Sequence, residues 1–314
     1  MFFEIGQKLY SAFLSPARRA YVPTEYVGIA KQVAERIGWN TEICGEDIEY
    51  SISTEAQNNQ VLLALSGGLD SVYLMHKLID DGYDVTAVHV AGLNKSSSTE
   101  EEISARMAAK KAGARYAKAV FKAPRQTFPD NPFKNQLILS ILLDIGAKQG
   151  IYRYAIGSDW TTPLSEAAVG YTITDSIEVN RAFWNGIKAR FPQAELLFIP
   201  NNEKKYKRIE YLYDKGALQD VSSCISPHRF RAHLHKQNIE KYGVQLMPGR
   251  CGSCFKCAME YLLLAEIGKI KKNERFAEHS WTILATSQTA HRPDLFAKDI
   301  PLEQRITNLI NYGS

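Results

Sequence analysis

The chain has 314 residues, 45% of them hydrophobic, which suffices for a full core in one large domain or one domain with appendages. Its 38 Lys and Arg stand against 34 Asp and Glu, and the resulting net charge of +4 admits anionic ligands but does not mark nucleic acid as a direct substrate. No apolar run reaches membrane-span length, the start Met-Phe-Phe-Glu-Ile-Gly lacks a basic stretch followed by an apolar one, and a cytoplasmic location without a membrane partner is expected.

Residues 1–58 read as an added N-terminal piece. Thr24 is placed to cap a helix over 25–37, with Val27, Ile29, Ala30, Val33 and Ile37 along one side and Gly38 at its end. Residues 43–53 look like one or two short strands, and Cys44 among them reads as a small half-buried side chain.

Residues 61–65 (Val-Leu-Leu-Ala-Leu) have the length and composition of a buried strand. The run stops at Ser66-Gly67-Gly68, and Val72, Met75, Leu78 and Ile79 then recur at helical spacing. A strand, a glycine turn and a helix N-terminus together make an anion site, because backbone N–H groups and the helix dipole face the ligand. The spacing matches neither the Walker loop nor the dinucleotide fingerprint. Ser66-Gly67-Gly68-Leu69-Asp70-Ser71 instead resembles the PP-loop of the ATP pyrophosphatase superfamily, whose members hold ATP pyrophosphate there and transfer AMP to a substrate oxygen.

Downstream, strands are expected at 84–90, 116–121, 154–156 and 196–200, alternating with helices at 100–112, 134–149 and 174–188. The alternation predicts an α/β fold with a doubly wound parallel sheet and ligands beyond the carboxyl ends of the strands, and the loop's resemblance implies that this sheet is of the PP-loop (HUP-like) type. His89 falls near such an end, where an adenine contact and a structural histidine are both open. Gly157-Ser158-Asp159 is a second Gly-Ser turn at a strand end and a further nucleotide or substrate contact. A basic helix over 203–213 carries Lys204, Lys205, Lys207 and Arg208 near its start, which opposes the helix dipole and favours an anion, with a solvated face as the rival.

Cys224 is followed by Cys251-Gly-Ser-Cys254-Phe-Lys-Cys257 and an apolar helix over 258–267. Four thiolates at this spacing suit tetrahedral Zn²⁺, with an iron–sulfur cluster as the rival. The segment between them, 227–250, is rich in His, Arg and Lys and reads as an insertion with a solvated face. Beyond Lys272 a helical tail with an amphipathic stretch at 302–310 is expected to pack on the main domain or on a second copy of the chain. The expected division is 1–58, 59–220 and 221–314, the last a zinc-bearing helical subdomain.

The order of these motifs over residues 60–268 is similar to that of the 7-cyano-7-deazaguanine synthases, the QueC-like branch of the superfamily. Lys134-Asn135 stands where that family has Arg-Asn, Gly170-Tyr171 and Asp175 match its Gly-Tyr-Pro-Asp region, and Pro200 with Lys205 matches its catalytic-loop lysine. The resemblance implies ATP and Mg²⁺ on Ser66–Ser71, catalysis by Asp70 and Lys205, and substrate contacts from Lys134, Asn135, Asp159, Tyr171 and Asp175. It also implies adenylation of 7-carboxy-7-deazaguanine, then ammonia as acceptor to give amide and nitrile. Other readings are a QueC-like antiviral enzyme that joins the base to a protein amine, a tRNA-modifying PP-loop enzyme, and a non-enzymatic nucleotide-binding module.

Overall fold

The computed structural model describes residues 19–24, 27–36, 42–46, 59–91, 99–120, 134–158, 176–199, 205–222, 224 and 228–288. Contacts divide the chain into two units, Met1–Pro200 and Asn201–Ser314. The first begins with β1 (Arg19–Pro23), α1 (Val27–Arg36) and β2 (Glu42–Glu46), in which the two strands pair in parallel. Ala30 and Ala34 of α1 and Ile43 of β2 belong to the same buried cluster as Val179 and Phe183, so this N-terminal piece is built into the core of the first unit.

The rest of that unit is β3 (Gln60–Ala64), α2 (Leu69–Asp80), β4 (Asp84–Ala91), α3 (Thr99–Ala112), β5 (Arg115–Val120), α4 (Lys134–Gln149), β6 (Arg153–Ile156), α5 (Ile177–Arg190) and β7 (Glu195–Phe198). The five strands form one parallel sheet in the order β5-β4-β3-β6-β7. Parallel strands covered on both faces need continuous apolar runs, and Val61, Leu62 and Leu63 of the central strand are each 0% exposed. The chain leaves β3 toward β4 on one side and reaches β6 on the other. The order therefore reverses beside β3, where open α/β sheets leave a crevice for ligands. Helix α4 is apolar nearly all round, and Leu137, Leu139, Ile141, Leu142 and Leu143 are buried in the core. The strands and helices expected from residue 61 onward are present in this unit with ends shifted by up to three residues, whereas β1 was not expected and the run expected at 43–53 is described only as β2 at Glu42–Glu46. Helix α5 starts at Ile177 rather than 174, because the Ser176 hydroxyl caps it by accepting from the Val179 N–H.

The second unit is helical among the described residues: α6 (Lys205–Asp214), a 3₁₀ turn (Leu218–Asp220), α7 (His228–Tyr242), α8 (Phe255–Glu266) and α9 (Glu274–Gln288). Phe276 joins three of these helices, packing edge-on against Tyr261 at 4.7 Å and Tyr242 at 5.4 Å between ring centroids. The amphipathic stretch at 302–310 lies outside the described residues. No described helix is long and apolar enough to cross a membrane.

Candidate functional site

The Ser66–Ser71 loop occupies the carboxyl end of β3, between strand and helix as the sequence predicts. The Leu65 N–H bonds the Val88 carbonyl at 2.9 Å, which keeps the chain in sheet register until the turn. The Ser71 hydroxyl donates to the Gly68 carbonyl at 3.0 Å and lies 3.1 Å from the Ser66 hydroxyl, which accepts from the Gly68 N–H at 3.2 Å. Since the Ser71 proton is committed to Gly68, Ser66 is the donor between the two hydroxyls. Helix α2 begins at Leu69 without a side-chain cap, and Asp70 is the acidic residue of its first turn. Such an uncapped N-terminus beneath a glycine turn is an anion-binding arrangement.

Two glycines are required here by different physics. Gly67 has φ +80°, and a Cβ on it would stand 3.0 Å from the Ala105 nitrogen, so α3 packs directly onto the loop. Gly157 follows β6, and a Cβ there would fall 2.6 Å from the Ser71 nitrogen and 2.7 Å from its Cα. The end of β6 thus lies against the first turn of α2 across the point where the strand order reverses. Ser158 is buried next to it, its N–H bonded to the Ile156 carbonyl.

Beyond the loop lies a cleft of about 140 Å³ whose polar lining includes Ser66, Ser71, His89, Glu101, Lys134 and Asn135, with Gly157 at one edge. His89 is 3% exposed and its Nδ1 bonds the Leu65 carbonyl at 3.0 Å, so the ring both braces the β3–β4 junction and faces the cleft. Lys134 and Asn135 arrive from the first turn of α4. A buried ladder sets that turn: Gln136 Nε2 donates to Asn180 Oδ1 at 2.6 Å, and Asn180 Nδ2 donates to the Ser176 carbonyl at 2.8 Å. Glu101 escapes the sequence reading because a Glu in the first turn of a helix ordinarily complements the dipole. The only available signal was its place just after the second-strand loop. Asp159, Tyr171 and Asp175 lie outside the described residues. Lys205 opens α6 in the second unit, where Arg208 is 2% exposed and so is not part of a solvated basic face.

The second centre is the cysteine cluster. The Sγ atoms of Cys224, Cys251, Cys254 and Cys257 all lie within 4.8 Å of one another, and all four residues are buried. Cys251 and Cys257 sulfurs are 3.9 Å apart, and those of Cys254 and Cys224 are 4.0 Å apart. Thiolates at about 2.3 Å from one tetrahedral ion stand about 3.8 Å from each other, so the donor set fits a single four-coordinate cation. A four-iron cube would seat its irons between the thiolates and spread them further apart. Hydrogen bonds from Cys251, Cys254 and Cys257 drive the Cys224 thiol down, whereas Cys254 and Cys257 are pushed up, each chiefly by Cys224. Four thiolates therefore share this volume only with a cation among them.

Helix α7 surrounds the cluster, which corrects the expectation of a solvated insertion at 227–250. Leu234 packs on the cysteines, and Arg231 donates to the Cys224 carbonyl at 2.9 Å. His235 Nδ1 lies 2.7 Å from the Arg250 carbonyl, and Asn238 Nδ2 donates to the Cys251 carbonyl and to Ser253 Oγ, each at 2.9 Å. These four residues follow helical spacing and hold the main chain that carries the ligands. Arg250 anchors the knuckle from the other side. Its guanidinium pairs with Glu260 at 2.6 Å and donates to the Val221 and Leu218 carbonyls at 2.7 and 2.9 Å. Burial works against this charge, but Glu260 outweighs it and holds the guanidinium above its ordinary value.

The loop, the parallel sheet and the reversal beside β3 decide the fold assignment. The chain carries the Ser66–Ser71 loop at the carboxyl end of the central strand of a five-stranded parallel α/β sheet. It is 26% identical over 218 residues to the tRNA-specific 2-thiouridylase MnmA 2 of Phocaeicola vulgatus, a match covering 62% of this chain and 60% of that protein. The chain thus spans about 60% of the length of the curated relative it matches. The solved structure of the U34-tRNA thiolase NcsA from Methanococcus maripaludis, with its four-iron, four-sulfur cluster, aligns with a TM-score of 0.39 at 17% identity, over 79% of this chain and 78% of that one. No protein-family model matches the chain.

Proposed function

We propose that the chain is an ATP-dependent, AMP-forming enzyme that adenylates an oxygen atom of a nucleobase, and that the base is carried in tRNA. The observation that supports this reading is the Ser66–Ser71 loop at the carboxyl end of the central strand, facing a cleft with Lys134, Asn135 and His89. The substrate oxygen attacks the α-phosphorus of ATP. An O–P bond forms, the bond to pyrophosphate breaks, and a later nucleophile displaces AMP. Backbone N–H groups of the loop and the α2 N-terminus hold the departing pyrophosphate, while Ser66 and Ser71 orient it. Lys134 offsets negative charge in the cleft, and Glu101 and Asp70 are the carboxylates for Mg²⁺.

The tRNA reading draws its support from the thiouridylase of P. vulgatus, which is named for that class of substrate. The thiolate tetrad supports a second reading, 7-carboxy-7-deazaguanine with ammonia or a protein amine as acceptor. A closed tetrad leaves Cys44, half-buried in β2, as the remaining thiol for sulfur transfer. In either case the tetrad is assigned Zn²⁺, held by Cys224, Cys251, Cys254 and Cys257. With four protein ligands zinc has no open position, and its contribution is structural.

The test is AMP release from ATP and Mg²⁺ in the presence of unmodified tRNA, or of 7-carboxy-7-deazaguanine with ammonium. Stimulation by tRNA, with a mass change on the base, supports the first reading. Stimulation by the deazaguanine alone transfers the assignment to the second, and stimulation by neither overturns both.

A further inference from the structure

The cleft beside the Ser66–Ser71 loop contains a polar atom that neither the fold nor the adenylation chemistry uses, the Nε2 nitrogen of His89. The side chain is 3% exposed and lines the cleft, yet its hydrogen bond is made by the other ring nitrogen, to the Leu65 carbonyl at 3.0 Å. Nε2 has no hydrogen-bond partner among the described residues. We propose that His89 Nε2 accepts from the exocyclic amine of adenine and so selects a 6-aminopurine nucleotide over a 6-oxopurine. The proposal rests on the ATP reading above and names the residue that tells ATP from other purine triphosphates at that site.

The chemistry of Nε2 follows from the brace on the other side of the ring. A carbonyl oxygen only accepts, so Nδ1 carries the proton and donates it to Leu65. In the neutral ring Nε2 is then a lone pair. A lone pair repels phosphate oxygens, so Nε2 is of no use to the polyphosphate on the adjoining loop. Glu102 does not serve it either, since a carboxylate is acceptor-only, and this one is already bonded to Lys118 Nζ at 2.7 Å. What Nε2 lacks is an N–H or O–H donor, and a buried acceptor left without one costs free energy.

The rest of the lining argues for a base as the source of that donor. Val88, Val90, Ile138 and Ile156 stand in the same cleft and offer apolar surface, which the flat faces of a purine use and a polyphosphate does not. In such a site the apolar contacts give affinity, and a fixed polar atom gives identity. His89 is fixed in this sense. Val88 pairs with Ala64 of the central strand, its carbonyl accepts from the Leu65 N–H at 2.9 Å, and the imidazole returns a bond to the Leu65 carbonyl. Main-chain and side-chain bonds therefore hold the ring in one place at the mouth of β3. Adenine presents an amine N–H to such an acceptor. Hypoxanthine has a carbonyl at the same position, which would set two acceptors face to face.

The experiment is equilibrium binding of ATP, purine riboside triphosphate, ITP and 2′-deoxyATP to the full chain with Mg²⁺, for wild type, His89→Asn and His89→Phe, by competition against a fluorescent ATP analogue. Asparagine keeps an N–H donor for the Leu65 carbonyl but has no acceptor where Nε2 stood, and phenylalanine removes both. Circular dichroism and thermal melting identify the folded variants. Wild type is expected to bind purine riboside triphosphate, which has hydrogen in place of the amine, about tenfold more weakly than ATP, and ITP about a hundredfold more weakly. His89→Asn is expected to bring the first ratio close to one. Equal wild-type affinity for ATP and purine riboside triphosphate would overturn the proposal without any variant, as would full discrimination in folded His89→Asn. Discrimination against 2′-deoxyATP alone would overturn the base in favour of the ribose, and tighter binding of ITP than of ATP would show that Nε2 is a donor and overturn it too. These outcomes leave the ATP reading standing, whereas a wild type that binds none of the four nucleotides would overturn both.

Discussion

Gly157 shows how little room the nucleotide loop leaves. A methyl group there meets backbone atoms of Asp70 and Ser71, which have no rotamer to move to. Gly157→Ala is therefore expected to cost about 1–3 kcal/mol of stability, by the usual penalty for overpacking, and to lower pyrophosphate release in the fraction that remains folded. Urea unfolding followed by tryptophan fluorescence, alongside a pyrophosphate assay, checks both parts; wild-type values in each would show that β6 does not constrain the loop. Glu101 poses the opposite problem, a carboxylate lining the cleft that we propose for the polyphosphate of ATP. Like charges repel there unless a divalent cation lies between them. Glu101→Gln is expected to raise the Mg²⁺ concentration for half-maximal pyrophosphate release, and Glu101→Asp to keep most of the wild-type response. Equal Mg²⁺ curves for all three proteins would remove Glu101 from the metal's surroundings.

At the scale of elements, α7 and the buried pair beneath the knuckle carry the predictions. Asn238 holds the Cys251 carbonyl and Ser253, so Asn238→Ala should weaken metal binding about 10–100-fold, read by chelator competition. Removing 227–250 while keeping the cysteines should abolish the metal site outright, since Leu234 and Arg231 leave with it. Retained metal in that deletion would show that α7 is peripheral. The side chains of Arg250 and Glu260 are 4% and 6% exposed, and breaking one partner of such a pair typically costs about 3–5 kcal/mol. Glu260→Ala should reach that range in chemical denaturation. A double apolar replacement should not recover it, because the Val221 and Leu218 carbonyls would lose their donor.

These elements differ in how far the sequence foretold them. Strand β3, the turn and α2 were legible because an apolar run, two glycines and a helical period fall in immediate succession. Helix α4 was legible to the residue from its apolar run. The inner face of α7 was not, because Arg231, Leu234, His235 and Asn238 carry no hydrophobic contrast against its solvent face. Their common direction exists only once the cysteines gather the carbonyls they bond. Arg250 was hidden in the same way, as one more cation in a basic stretch. Of the N-terminal strands only β2 overlaps the expected 43–53 run, and β1 at Arg19–Pro23 was not foreseen; Ile43 and Ala34 share a buried cluster with Phe183, a long-range association that no local pattern encodes.

For the molecule as a whole, the first unit carries the Ser66–Ser71 loop and its cleft, and the second the four-cysteine cluster. The metal prediction tests the second unit directly. One zinc per chain is expected by elemental analysis, and Cys254→Ser should lower that content and loosen the knuckle. A visible iron–sulfur absorption band, or full stability without metal, would contradict the closed four-thiolate assignment. The first unit is tested by chemistry. The central claim is that Ser66–Ser71 holds pyrophosphate as a leaving group, so cleavage falls between the α- and β-phosphates of ATP. Phosphorus NMR of the nucleotide products, taken with Mg²⁺ and whichever substrate stimulates turnover, reads the position of that cleavage. The account predicts AMP and pyrophosphate in equal amounts, with Asp70→Ala folded and inactive. ADP and orthophosphate would contradict it.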